Sequence, residues 1–173
     1  MQGAKAALHK ITMFGDKRIK LKPDELAALL MKHFVESPIN KIPEQMQAPA
    51  EVIAAFDAKT RLYQFATVLM AVMNEEQSDR HFCPVRTELE RLFLPPTFQQ
   101  GGNMLDELRS AMMDLSNLMT PREKPHHLSW ARDWFASTGL DESNPETLSY
   151  FSIRWLDYFA TICKAIKTFK PRQ

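Results

Sequence analysis

Glycine and cysteine are both scarce here, and each scarcity removes a class of function. Five glycines in 173 residues leave little from which to build a loop that cradles phosphates. No G-x-G-x-x-G, Walker-type loop, G-x-S-x-G elbow, H-E-x-x-H or C-x-x-C occurs, so the familiar grounds for proposing nucleotide, hydrolase or zinc chemistry are missing. Two cysteines, Cys83 and Cys163, cannot make a disulfide framework, and a reducing cytoplasm is the natural expectation. Long apolar runs are lacking too. The stretch from Leu62 to Asn74, between Arg61 and Glu75, falls well short of the roughly 20 residues that span a bilayer, and reads as a buried helix. Lys5 and Lys10 interrupt any secretory core near the N-terminus. Residues 1–15 lack acids, as transit peptides do, but also lack Arg and Ser.

What is present is core material. Apolar residues make up 45% of the chain and charged residues 25%, the usage of one ordinary globular domain. The formal net charge of +1 conceals a segregation. Residues 1–22 hold six bases against one acid, residues 164–173 hold four bases and no acid, and the body between holds 12 bases against 20 acids.

Prolines and glycines divide the chain at Ser37–Pro49, Pro95–Gly102, Pro121–His127 and Gly139–Pro145. Between these breaks apolar residues recur at three and four, the helical period. Pro23-Asp24-Glu25 opens a first helix with proline and acids in its first turn. A second runs from Ala50 to about Asn74, apolar on so much of its circumference that it belongs at the centre of a bundle. Pro84–Leu94 is a short helix burying Leu89, Leu92 and Phe93. Residues 103–119 place Leu105, Leu108, Met112, Leu115 and Met119 on one stripe, with Met113 off it. Ser129 is the expected cap of a helix that carries Trp130, Trp134 and Phe135 and ends at Gly139. Asn144 caps a last helix with Pro145 at its first position and Leu148, Phe151, Trp155, Phe159, Ile162, Ile166 and Phe169 on its buried side. The expected fold is all-α, a bundle of roughly six helices over residues 23–173 with a basic N-terminal arm at 1–22.

That arm has two readings. Ile11–Phe14 and Arg18–Leu21 around Gly15-Asp16-Lys17 fit a small β-hairpin pairing Met13 with Ile19 and Ile11 with Leu21. Residues 4–14 fit a frayed helix equally well. Strand is expected only within residues 10–22.

Candidate sites are few. His81-x-Cys83 and His126-His127 offer four zinc-ligand types, but only if two distant loops converge. Glu123-x-x-His126 has di-iron spacing but is interrupted by Pro125, so it cannot share a helix face. No metal or cofactor is expected. The basic residues Lys17, Arg18, Lys20 and Lys22 make an anion-contacting arm. Arg18, Lys20 and Lys22 alternate with Ile19 and Leu21 before Pro23-Asp24-Glu25-Leu26 begins a helix. Over residues 18–30 this resembles the strand and first helix of ribbon-helix-helix DNA-binding proteins, and the resemblance implies phosphate or base contact by those three side chains. It departs at Ser37–Pro49, where that family turns at once into a second helix. The lysines near the C-terminus are read as complementing the dipole of the last helix.

On the last helix, Tyr150, Ile153, Leu156 and Tyr158 lie off the main stripe and need a second neighbour, which is either another helix of the same chain or, the expectation favoured here, a second copy in a homodimer. The leading expectation is a non-enzymatic, cytoplasmic interaction or regulatory module working through an apolar groove or an oligomer interface. Nucleic-acid binding through the arm is the alternative. A helical enzyme or ligand-binding protein with a pocket near the Trp-rich C-terminal half is the third.

Overall fold

A computed structural model describes residues 18–37, 42–94, 103–120 and 127–172. In order, the elements are strand β1 (Ile19–Leu21), helix α1 (Pro23–Leu30) continued by a π-helical turn at Met31–Val35, α2 (Ile42–Gln45) and α3 (Ala50–Ser78). A 3₁₀ turn at Arg80–Phe82 leads into α4 (Cys83–Phe93), followed by α5 (Asn103–Met119), α6 (His127–Thr138), α7 (Pro145–Lys167) and strand β2 (Phe169–Pro171). Helix accounts for 82% of the described residues, so the fold is all-α. Seven helices appear among them rather than six, because a single turn, α2, forms inside the proline-broken 37–49 connection.

The 29 residues of α3 make a rod about 43 Å long. Every residue from Tyr63 to Leu69 is buried, so it is covered on all sides, and α1's π turn, α4, α5, α6 and α7 all pack against it. A polar residue in that position must be satisfied. Gln64, 3% exposed, donates from Nε2 to the carbonyls of Phe34 at 2.8 Å and Ser37 at 2.6 Å. Those carbonyls end the first helical run, where no further turn follows to accept from. The Tyr158 hydroxyl donates to the same Phe34 carbonyl, so one backbone oxygen ties α1, α3 and α7 together.

The capping signals divide into one that holds and one that does not. Asn144 Oδ1 accepts from the N–H groups of Glu146 at 2.9 Å and Thr147 at 3.2 Å, with Pro145 in the first turn of α7. Ser129 is not at the edge of its helix, because α6 begins at His127 and Ser129 lies inside it. Cys83 starts α4 rather than lying in a connection. Leu92 and Leu105, expected in the core, are 42% and 41% exposed.

The strands depart most from expectation. β1 forms, but it pairs in parallel with β2, with Ile19 opposite Phe169, Lys20 opposite Lys170 and Leu21 opposite Pro171. Strand therefore occurs at the C-terminal end as well as within 10–22. α7 stops at Lys167, and Phe169 is buried as a strand residue rather than a helical one. The hairpin's other half, Ile11–Phe14, and the rival helix at 4–14 lie outside the described residues.

Candidate functional site

The β1–β2 ribbon joins the two basic ends of the chain. Alternation builds its two faces, since successive strand side chains point to opposite sides. Ile19 and Leu21 pack on the core from β1, and Phe169 and Pro171 are buried from β2. The residues between and beyond them, Arg18, Lys20, Lys22, Lys170 and Arg172, are all exposed. Backbone bonds from Ile19 N–H to the Thr168 carbonyl (2.8 Å) and from Arg172 N–H to the Leu21 carbonyl (2.7 Å) lock the register. Lys20 and Lys170 are thus neighbours across strands about 4.8 Å apart.

Two acids near this surface, Glu25 and Asp79, are held by other groups. Glu25 Oε2 accepts from the Lys22 N–H at 2.9 Å, closing the start of α1. Asp79 accepts from the His81 backbone N–H at 3.1 Å, and its Oδ1 lies 2.5 Å from His81 Nδ1. The side-chain and backbone bonds from His81 hold the Asp79 carboxyl below the usual range, with Lys170 adding a smaller attraction. The 3₁₀ turn Arg80–Phe82 packs against β2 and brings a further exposed cation, Arg80, to this side of the molecule.

Of the four cations expected to contact anions, Arg18, Lys20 and Lys22 share the ribbon's outer face, and Lys17 lies outside the described residues. The sequence reading missed Lys170 and Arg172. Their alternation with Phe169 and Pro171 was the available signal, hidden by assigning Phe169 to the preceding helix.

The α7 residues separate. Tyr150, Ile153 and Leu156 are 52%, 50% and 38% exposed. Tyr158 does not join them. It turns inward to the Phe34 carbonyl, with its ring edge-on to Phe34 and Trp155, and burial pushes its hydroxyl pKa upward. On a helical wheel Tyr158 falls near Phe151 and Ile162, on the buried half.

The Trp-rich half is filled rather than hollow. Trp134 and Trp155 are 2% and 1% exposed, and they belong to one cluster of rings with Phe56, Tyr63, Trp130, Phe135 and Phe151, in which neighbouring rings are 4.2 to 6.5 Å apart. An open cleft of about 820 Å³ lies instead among α3, α4 and α5, walled by Leu62, Leu92, Phe93 and Met104. Two of the polar residues lining it, Tyr63 and Lys59, are engaged within the protein. The Tyr63 hydroxyl donates to Asp114 Oδ2 at 2.6 Å, and the Lys59 amine bonds Ser137 Oγ at 2.5 Å above the Trp134 ring. Burial lowers the Lys59 pKa against the opposing pull of Asp114 and Asp133.

Among the described residues no three His, Cys, Asp or Glu side chains stand together as a metal site. His81 is turned to Asp79, while His126 and Glu123 lie outside the described residues. No described helix is long and apolar enough to cross a membrane. Comparison with protein-family models, with curated proteins and with solved structures finds no match to this chain.

Proposed function

We propose that this protein binds the phosphate backbone of nucleic acid through its parallel β ribbon, without reading base sequence. The observation that carries the proposal is the adjacency of Lys20 and Lys170, flanked on one outward face by Arg18, Lys22 and Arg172. Like charges placed directly across a strand pair disfavour it, and a bound polyanion converts that repulsion into attraction. Alternate residues along a strand stand about 6.7 Å apart, a spacing close to that of successive phosphates on one nucleic-acid strand. The acidic body repels polyanions elsewhere, so electrostatics favours this one surface.

The same face argues for the kind of binding. Its outward side chains are all cationic, with no aromatic among them to stack on a base. The ribbon's other side is packed on the core, so it cannot enter a groove with both faces free. Contacts of this kind orient a nucleic acid but carry no direct sequence information. Fluorescence anisotropy with mixed-sequence duplex and single-stranded oligonucleotides at low salt tests the proposal. Binding should fall steeply with salt, by a log–log slope of up to about −4.5 on duplex if five phosphates are neutralised. Replacing Lys20, Lys170 and Arg172 together by Ala should weaken it at least tenfold. No binding at low salt, or binding indifferent to these replacements, would overturn it.

A further inference from the structure

We infer, independently of the ribbon, that α7 pairs with α7 of a second copy of this chain, antiparallel about a two-fold axis level with Trp155. One half of α7 is spent on its own core, where Leu148, Phe151, Trp155, Ile162 and Ile166 are buried. The opposite half carries Glu146, Tyr150, Ile153, Asp157, Ala160, Lys164 and Lys167, spaced alternately four and three, with Leu156 beside them, and all are exposed. Alternation of four and three is the spacing of a seam between two helices.

The order of chemistry along the seam chooses the occupant and its direction. It opens with an acid, Glu146, is apolar at Tyr150, Ile153, Leu156 and Ala160, and closes with the bases Lys164 and Lys167. A parallel pair would set Glu146 against Glu146 and lysine against lysine. The antiparallel pair sets Glu146 opposite Lys164 of the partner subunit, and the two-fold axis repeats that contact. In the same register the Tyr150 ring meets Ala160 of the partner subunit, a large side chain over a small one. Leu156 of both copies flanks the axis, and Ile153 lies opposite Asp157 of the partner subunit, whose carboxylate must reach the seam's edge. Asp157 is the one charged residue in the apolar stretch, and it lies one residue's rise from Arg154 of the partner subunit. The helix dipoles also run opposed. One helix per copy buries a modest area, so the dimer belongs to the weak, reversible class, with Kd on the order of 1–100 µM.

Glu146 and Lys164 would also complement the dipole of α7 within a single chain, and a charge swap separates the two roles. Sedimentation equilibrium on the full chain at about 100 µM and low ionic strength should show a monomer–dimer equilibrium. Glu146→Lys and Lys164→Glu should each weaken association by about 3- to 10-fold, and the two together should restore it to within about twofold. If the charges serve only the dipole, the doubly swapped chain is the least stable and rescues nothing. Ile153→Asp, an exposed substitution that should leave the far-ultraviolet circular dichroism unchanged, should abolish the dimer. A wild type that stays monomeric, because residues of its own chain cover this face, overturns the inference. So does a dimer indifferent to Ile153→Asp, or a double swap that fails to restore association.

Discussion

Lys20 and Lys170 stand side by side across two parallel strands, one from each basic end of the chain. Nothing in the packing of the bundle requires this, since the residues that dock the ribbon are Ile19, Leu21, Phe169 and Pro171. Lys20→Glu, on the strand away from the Asp79 carboxylate that Lys170 attracts, should therefore raise stability by about 0.2–1 kcal/mol, seen as a higher urea midpoint, by turning a like pair into an opposite one. The same change should lower affinity for nucleic acid. A fall in both would mean that the lysine pair is not a stability cost, and would remove the physical argument for its functional role.

Phe169, 2% exposed, is the anchor that holds β2 and with it the ribbon. Phe169→Ala should cost about 3–5 kcal/mol. Lys170→Ala, one residue away and exposed, should change stability by less than about 0.5 kcal/mol in either direction. Urea denaturation of the two variants measures the contrast. Equal, small effects would mean that the ribbon is not built into the core.

Much of the bundle was legible because its elements obey local rules. The spacing over residues 103–119 predicts α5 to its end residues, and Asn144-Pro145 marks the start of α7 through a cap that needs only its own neighbours. The ribbon was not legible, because a parallel pairing between chain ends leaves no local trace. Arg18–Lys22 alternates visibly, but nothing nearby names its partner. The C-terminal cations were accounted for by the dipole of α7, a sufficient explanation that concealed a second one. Tyr158 was misplaced for a different reason. Counted by apolar character it looked surplus, whereas its angle on the helix and its hydroxyl both point inward to the Phe34 carbonyl. Ser129 shows the limit of capping signals, since a suitable residue two positions inside α6 reads the same as one at its edge.

Asp79 provides a pH prediction at the border of the ribbon. Hydrogen bonds from His81 depress its pKa in the folded state, so the contribution is present above the ordinary Asp value of about 3.9 and is lost as pH falls through the lower folded value. Carboxyl chemical shifts followed by NMR should give Asp79 a midpoint below that ordinary value. His81→Ala should move the midpoint back up. A midpoint unmoved by His81→Ala, which keeps the backbone N–H, would show that the imidazole bond does not set it.

The Phe34 carbonyl accepts from both Gln64 Nε2 and the Tyr158 hydroxyl, and this redundancy makes the two donors interdependent. Tyr158→Phe removes one donor while leaving the other, so it should cost about 0.5–1.5 kcal/mol, the net worth of an ordinary hydrogen bond. Gln64→Leu should cost more, because the Ser37 carbonyl loses its Gln64 donor at the same time. With both changes made, neither side chain is left to satisfy the Phe34 oxygen, and a stranded buried acceptor costs about 1–3 kcal/mol beyond a lost bond. The double variant should therefore be less stable than the sum of the single losses predicts, with a coupling of at least about 0.5 kcal/mol. Urea denaturation of the four chains in the cycle measures it. Because Tyr158 faces this carbonyl rather than the outer seam of α7, Tyr158→Phe should leave self-association unchanged. A strictly additive cycle would mean that the Phe34 carbonyl finds another donor when both side chains are gone.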